Sequence, residues 1–457
     1  MSRSLRPSSL KLSLAILALT GVLSRSPAEA AVAKPQPNQI AAYEGLNEGG
    51  RVRILIMLAK TDRADQAEFL LQHYPLAGPL AANRKLFIEG LICSSRKDLP
   101  GAAAKYRQAL ASDPHLTLVR SELAQTLAGM DENESAKHHL ELLKADAPDL
   151  AQAQGVQSFI DRIDEKRPYT VAGYVSLAPS TNFNGGSSHT TVYSPVLGWG
   201  DIPQTSQKTS GVGVSGGVSL GFSKRLNDYF QVVTAANVDG RAYADSQYDL
   251  LSFSESAEMR RIISGGYLSA GLVSSQLVAP AALKLSYYSY GPRLAFAKDL
   301  SQRNRLVAST VYEFRDYGKD SYQNGWASTN TATISHAVDS SFSLNATAGY
   351  DHVAQGFDFT SYHTYSIGVG AYKELSHGIT VQLDAMAKFS DFEGINPVAM
   401  LAREDQRYIG SITLTKRDWN LMGFAPTLNY TYTRNASNIA LYDYDSHSVE
   451  LRLTKDF

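Results

Sequence analysis

The chain has 457 residues and a net charge of -1, so it holds enough material for two or three domains and shows no global attraction for nucleic acid or an anionic surface. Its one cysteine, Cys93, excludes an intrachain disulfide and reads as a small buried apolar residue, which leaves packing and hydrogen bonds to hold the fold.

The first element is a secretory signal peptide, expected over 1–30. Arg3, Arg6 and Lys11 precede an apolar run from Leu12 to Leu23, and Ala28-Glu29-Ala30 offers a small-x-small cleavage site. The run, about 12 residues, is shorter than the roughly 20 that a spanning helix requires. No cysteine follows it to accept a lipid, so the mature chain is expected to begin near Ala31.

From about Gln39 to Lys166 the chain is rich in Ala, Leu, Glu and Lys, with apolar residues three and four apart, which predicts amphipathic helices. An internal repeat supports this. In "GLICSSRKDLPGAAAKYRQALASDP" the residues Gly90, Ala102, Tyr106, Ala109 and Pro114 resemble the small, aromatic and proline pattern of a tetratricopeptide repeat, whose period is about 34 residues. One period on stand Ala124, Ala136, Leu140, Leu143 and Pro148, and roughly one period earlier Ala67, Leu71 and Pro79. The reading is a solenoid of about three helix pairs over 39–166, a shape that presents a concave face to a polypeptide. A plain helical spacer is the alternative. His138 and His139 are adjacent, so they cannot share one helical face as a metal pair would.

Composition shifts at Pro168. Of the 25 tyrosines only Tyr43, Tyr74 and Tyr106 precede it, and the period falls from 3.6 to two. In "VGVSGGVSLGF" Val212, Val214, Val218, Leu220 and Phe222 alternate with Gly213, Ser215, Gly217, Ser219 and Gly221; "ITVQLDAMAKF" from Ile379 repeats the split. Short turns fall at "RLND", "ISGG", "DLSQRN", "HAVDSS", "ELSHG" and "KRDWN", with longer polar stretches between them, the longest from Pro179 to about Thr209. About 14 antiparallel strands over 168–457, with short turns at one end and long loops at the other, predict an outer-membrane β-barrel. Tyr287, Tyr288, Tyr290, Tyr350, Tyr430 and Tyr432 are expected in its interfacial girdles. The last strand, "VELRLTKDF", alternates to the terminal Phe457, because an open sheet edge in lipid would leave backbone groups unpaired and the last strand must close on the first.

Two motifs mimic enzymes. "GVGVSG" from Gly211 fits G-x-G-x-x-G, and "GVSGG" from Gly213 fits G-x-S-x-G, but both sit inside a strand, whereas each chemistry needs a strand-to-helix turn. No Ser, His and acid stand out together, so no enzyme, cofactor or metal is expected. If Val449, Leu451 and Leu453 face lipid, alternation turns Asp239, Arg241, Glu258, Arg260, Arg293, Glu313, Arg315, Asp384, Lys388, Arg407, Glu450 and Arg452 into the lumen. Two readings stay open for them: interstrand ion pairs that stiffen the wall, or a polar conduit that contacts a large substrate.

A short helical-repeat domain joined to a barrel of about 14 strands resembles the surface lipoprotein assembly modifier (Slam) family of outer-membrane translocons. The sharpest local likeness is "YVSLAPSTNFNGG", where Pro179, Asn182 and Asn184 follow the first strand as a Pro and paired Asn do in that family. The resemblance implies a Gram-negative outer-membrane barrel with its repeat domain in the periplasm. It also implies a protein client, either a surface lipoprotein or a small secreted carrier, moved without nucleotide energy. Further expected partners are outer-membrane lipid and the barrel assembly machinery, whose C-terminal aromatic signal Phe457 resembles. A polysaccharide export pore and a nutrient porin are the alternatives; the first would be expected to carry more repeats, and the second has no use for them.

Overall fold

The computed structural model describes residues 34–454 apart from 148, 167, 280–283, 418 and 420–423; the expected signal peptide, Pro148 and Phe457 lie outside the described residues. The chain divides into two compact units near residue 140.

The helical part comprises α1 (Pro37–Glu44), α2 (Glu48–Ala59), α3 (Ala64–His73), α4 (Ala81–Ser95), α5 (Leu99–Ser112), α6 (Thr117–Gly129) and α7 (Asn133–Ala145). Local chemistry sets several boundaries. The Asn47 side chain accepts from the Gly50 N–H at 2.8 Å to start α2, and the Asp98 side chain accepts from the Gly101 N–H at 3.0 Å to start α5. Between α4 and α5 the chain reverses at Lys97, φ 66°, and between α6 and α7 at Asp131, φ 64°. The Asp98 N–H donates to the Cys93 carbonyl and the Glu132 N–H to the Leu127 carbonyl, both at 2.9 Å. These paired features recur at the spacing of about 34 residues read from side chains alone. Packing explains the pattern: Ala102, Tyr106, Ala109, Ala124 and Ala136 are fully buried. A Cβ on Gly90 would meet the Tyr106 ring at 2.4 Å, so only glycine lets that ring lie against α4.

The second unit, which takes in the end of α7 from Glu141, contains α8 (Leu150–Lys166), whose Asp161 accepts from Arg225 at 3.0 Å, and continues as a closed barrel. Its strands are β1 (Tyr169–Ser180), β4 (Gly211–Arg225), β5 (Phe230–Tyr243), β6 (Leu250–Ile263), β7 (Gly266–Ala279), β8 (Lys284–Asp299), β9 (Asn304–Asp316), β10 (Gly325–Asp339), β11 (Phe342–Gln355), β12 (Tyr362–Leu375), β13 (Ile379–Ile395), β14 (Ala402–Lys416), β15 (Ala425–Ser437) and β16 (Tyr444–Thr454). Each pairs antiparallel with its neighbours, and β16 closes on β1 with Leu451 opposite Leu177 and Arg452 opposite Ser176. Closure satisfies the backbone without an edge, which is what a sheet in lipid requires. The first long loop carries one element that the sequence reading treats only as a polar stretch, a two-stranded ribbon of β2 (Thr191–Ser194) and β3 (Gly198–Asp201).

Alternation decides which face each side chain takes. Val171, Val175, Leu177, Leu272 and Ile367 stand exposed on the outer wall, while Ser176, Ser269 and Thr364 between them are buried. Aromatics gather on the outer wall toward the long-loop end: Tyr312 stacks on Trp326 with centroids 4.9 Å apart, and Tyr350 lies 5.2 Å from Tyr365. Tyr287 departs from the expected girdle. It alternates to the opposite face from Tyr288 and Tyr290 and packs on Tyr317.

Candidate functional site

Inward residues of β16, β1, β4 and β5 form one polar chain across the closing seam. Arg452 donates to Glu450 Oε1 at 3.0 Å, Ser176 Oγ donates to the same oxygen at 2.6 Å, and Ser176 and Ser215 hydroxyls meet at 2.6 Å. The Arg452 guanidinium also lies 4.2 Å over the Tyr174 ring, whose hydroxyl donates to Asp239 Oδ1 at 2.9 Å. Space for this comes from a strand glycine, since a Cβ on Gly217 would meet Asp239 Oδ1 at 2.3 Å. Gly211 to Gly217 therefore lie within β4, and neither glycine motif opens a helix.

A second cluster lies on β6, β7 and β8. Glu258, its side chain 4% exposed, accepts from Arg293 at 2.6 Å and from the Ser269 hydroxyl at 2.6 Å; Arg260 sits 3.8 Å from it and covers the Tyr267 ring. A carboxylate this buried is tolerable only with such partners. On β9, Arg315 Nε donates to Glu313 Oε1 at 2.8 Å. Arg315 is thus matched by Glu313, while Arg293 and Arg260 share the single Glu258 carboxylate.

The β13–β14 wall differs. Gln382 donates to Asp384 at 2.9 Å, but Lys388 stands directly opposite Arg407, a like-charge pair that gains no Coulomb energy. Arg407 donates to Asn435 Oδ1 at 3.1 Å, and among the described residues neither cation has a carboxylate within ion-pair distance. Arg241, near the long-loop end of β5, is exposed. Asp351, inward on β11, lies within reach of the Lys388 charge, which leaves Arg407 and Arg241 as the inward cations best placed to meet an anionic or polar passenger.

At the long-loop end Pro179 closes β1, and the two asparagines shape the loop after it. The Asn182 side chain, almost fully buried, donates to the carbonyls of Gly186 and Asp445 at 2.9 and 3.1 Å and accepts from the Gly186 N–H at 3.0 Å. Asn184 donates to the Gln207 carbonyl at 2.8 Å and accepts from the Thr209 N–H at 3.0 Å. The loop then spans the seam. Phe183 stacks on Tyr243 on one side; on the other, Ser187 donates to the Ala440 carbonyl at 2.6 Å, Lys208 pairs with Asp445 at 2.8 Å, and Ser194 donates to the Val398 carbonyl at 2.5 Å. Asp443 steadies the β15–β16 loop through a two-pronged bond from Arg434 at 2.7 and 2.8 Å. Burial, the largest single influence, pushes its carboxyl upward, but the Arg434 hydrogen bonds and charge, together with the Ser437 N–H and His189, hold it below the usual carboxylate value.

Residues 170–457 match the family described as "Surface lipoprotein assembly modifier". The chain belongs to that family. A surface lipoprotein assembly modifier of Pasteurella multocida is 22% identical over 435 residues, covering 89% of this chain and 82% of its own length. Surface lipoprotein assembly modifier 2 of Haemophilus influenzae is 24% identical over 381 residues, covering 79% and 75%. Among solved structures the barrel is similar to a Pseudomonas aeruginosa FadL homologue, at 11% identity and a TM-score of 0.36, covering 64% of this chain and 91% of that one. Salmonella typhi OmpF in complex with daunomycin gives 8% identity and a TM-score of 0.37, covering 63% and 97%. In this family member, an outer-membrane β-barrel, the residues of the networks that a reading of charge alone passes over are uncharged: Tyr174, Ser176, Ser215, Ser269 and Asn435. The same period-two count that found Glu450 also turns them inward.

Proposed function

We propose that the barrel is a translocon that carries a client protein, a surface lipoprotein or a small secreted carrier, from the periplasm to the cell surface. The observation that carries this reading is the match across the whole barrel to a family described by surface lipoprotein assembly, and the names of the curated relatives support it. In this reading the helical domain lies in the periplasm and receives the client first, raising its concentration at the barrel mouth by proximity. The seam and β6–β8 clusters stiffen the wall. The cations of the β13–β14 wall, Lys388 and Arg407, contact the passing chain, and Arg241 meets it near the exit. The barrel assembly machinery and outer-membrane lipid complete the partner set.

The test is surface display. A lipid-anchored candidate client is co-expressed with the full chain, and its exposure is read by protease shaving of intact cells. Exposure should fall at least tenfold without the translocon and severalfold with K388E/R407E, while that variant keeps the heat-modifiable migration of an assembled barrel. Equal exposure with and without the chain defeats the translocon reading. Unchanged exposure with K388E/R407E removes the β13–β14 wall from the client path.

A further inference from the structure

On the outer wall, three strands bring together residues that the lumen does not use. His352 on β11 stands directly opposite His363 on β12, and their rings stack 4.3 Å apart at 5°. His363 is opposite Asp391 on β13, so Glu393 lies two residues further toward the long-loop end on the same face. The imidazole Nε2 atoms of His352 and His363 approach one Glu393 oxygen at 3.2 and 3.0 Å. All three donor atoms lie within 4.8 Å of one another.

The donors are close enough to share one ion, but the two imidazole planes are parallel, so the rings must turn about their Cβ–Cγ bonds for both Nε2 lone pairs to point at it. Donors on a tetrahedral ion with bonds of about 2.0–2.1 Å are separated by roughly 3.3 Å, close to the two nitrogen–oxygen approaches here. The supporting shell is built. Tyr350 Oη lies 2.7 Å from His363 Nδ1, so the phenol can accept the Nδ1 proton and leave Nε2 as the free donor, the arrangement that metal-bound histidines use. Glu393 is held by its backbone, whose N–H donates to the Ser361 carbonyl at 3.0 Å; the buried Ser361 hydroxyl accepts in turn from the Gln355 N–H at 2.9 Å. The cluster sits one step beyond the Tyr350–Tyr365 pair toward the long-loop end, which places it at headgroup height rather than in hydrocarbon.

We propose that His352, His363 and Glu393 form a divalent metal site on the outer wall, with three protein ligands and one position open to solvent. Two imidazoles and one carboxylate select a borderline ion such as Zn²⁺ over Mg²⁺ or Ca²⁺, which require oxygen donors. The bound ion bridges β11, β12 and β13 at the surface end of the barrel.

The experiment uses the full chain folded in detergent, carrying a tag without histidine and stripped by chelator. Zn²⁺ is titrated by calorimetry, bound metal is counted by mass spectrometry, and Co²⁺ substitution reports geometry by visible absorption. The expected result is one Zn²⁺ per chain and an intense tetrahedral Co²⁺ band. H352A/H363A should weaken binding at least a hundredfold and abolish the band, and E393Q and Y350F should each weaken it about tenfold. Heat-modifiable migration checks folding, and H363N carries the comparison if the double variant does not assemble. A wild-type isotherm and Co²⁺ spectrum indistinguishable from those of the histidine variants overturns the site and leaves a hydrogen-bonded cluster only.

Discussion

In the helical unit the described side chains with no exposure are mostly apolar, such as Leu55, Leu58, Leu70, Ile88 and Leu123, with Arg120 the charged exception, whereas in the barrel the least exposed positions include Ser289, Ser340, Ser341 and Asn435. The large apolar side chains of the barrel stand outside, with Val171 at 71%, Leu272 at 65% and Ile367 at 62%. The same residue types therefore act in opposite senses. Leucine in the first unit leaves water for a close-packed core, while leucine in the second faces lipid and polar groups hold the interior. A substitution harmless in one unit should be disruptive in the other.

The sharpest way to break this comparison is to change one apolar residue in each unit. Leu123→Ala should open a cavity in the repeat core and cost about 2–5 kcal/mol, read as earlier loss of helical signal on heating or in urea while the barrel stays assembled. Ile367→Arg, near the middle of β12 on the outer wall, should cost about 2–4 kcal/mol and lower the yield of heat-modifiable barrel, with Ile367→Leu near neutral. If Ile367→Arg assembles like the parent, that face does not meet lipid.

Inside the lumen the effect is smaller. Glu450→Gln removes the charge that Arg452 and Ser176 share and should cost about 1–3 kcal/mol, seen as a lower urea midpoint for the barrel. The mildest test is pH. Asp443 is held below its ordinary value in the fold, so its contribution is complete above the usual aspartate pKa of about 3.9 and is lost as pH falls through the lower folded value. Pepsin cleavage of the β15–β16 loop should rise steeply across that window in the parent. Asp443→Asn should show high cleavage at both ends of the range; equal pH dependence in both proteins would remove Asp443 from the loop's anchorage.

The barrel was legible because its rule is local. Alternation at Val449, Leu451 and Leu453 assigns Glu450 to the other face whatever the rest of the chain does, and "RLND" or "ELSHG" marks a reversal within a few residues. The repeat was legible for a similar reason, since Gly90 and Tyr106 lie in one helix pair. What depends on distant strands was not. Ser176 and Glu450 are partners only because the cylinder closes, and His352, His363 and Glu393 share a site only through the registers of two successive strand pairs. Arg293 looked the same as Lys388 and Arg407 in the sequence, yet the barrel gives the first a carboxylate from β6 and register sets the last two against each other. Alternation names a face and leaves the neighbour open.

Two hydrogen bonds of equal length in the lumen have different histories. Ser269 reaches Glu258 across 11 residues, and Ser176 reaches Glu450 across 274, both at 2.6 Å. In an unfolded chain the ends of the longer segment are harder to bring together by about 3 kcal/mol, because the closure cost grows with the logarithm of the segment's length. The hairpins can therefore zip early and independently, while the seam waits for every other strand to be in place. The Arg452–Glu450–Ser176–Ser215 chain is then the last part of the wall to form during assembly, so a defect there should leave a late, nearly complete intermediate rather than an early one.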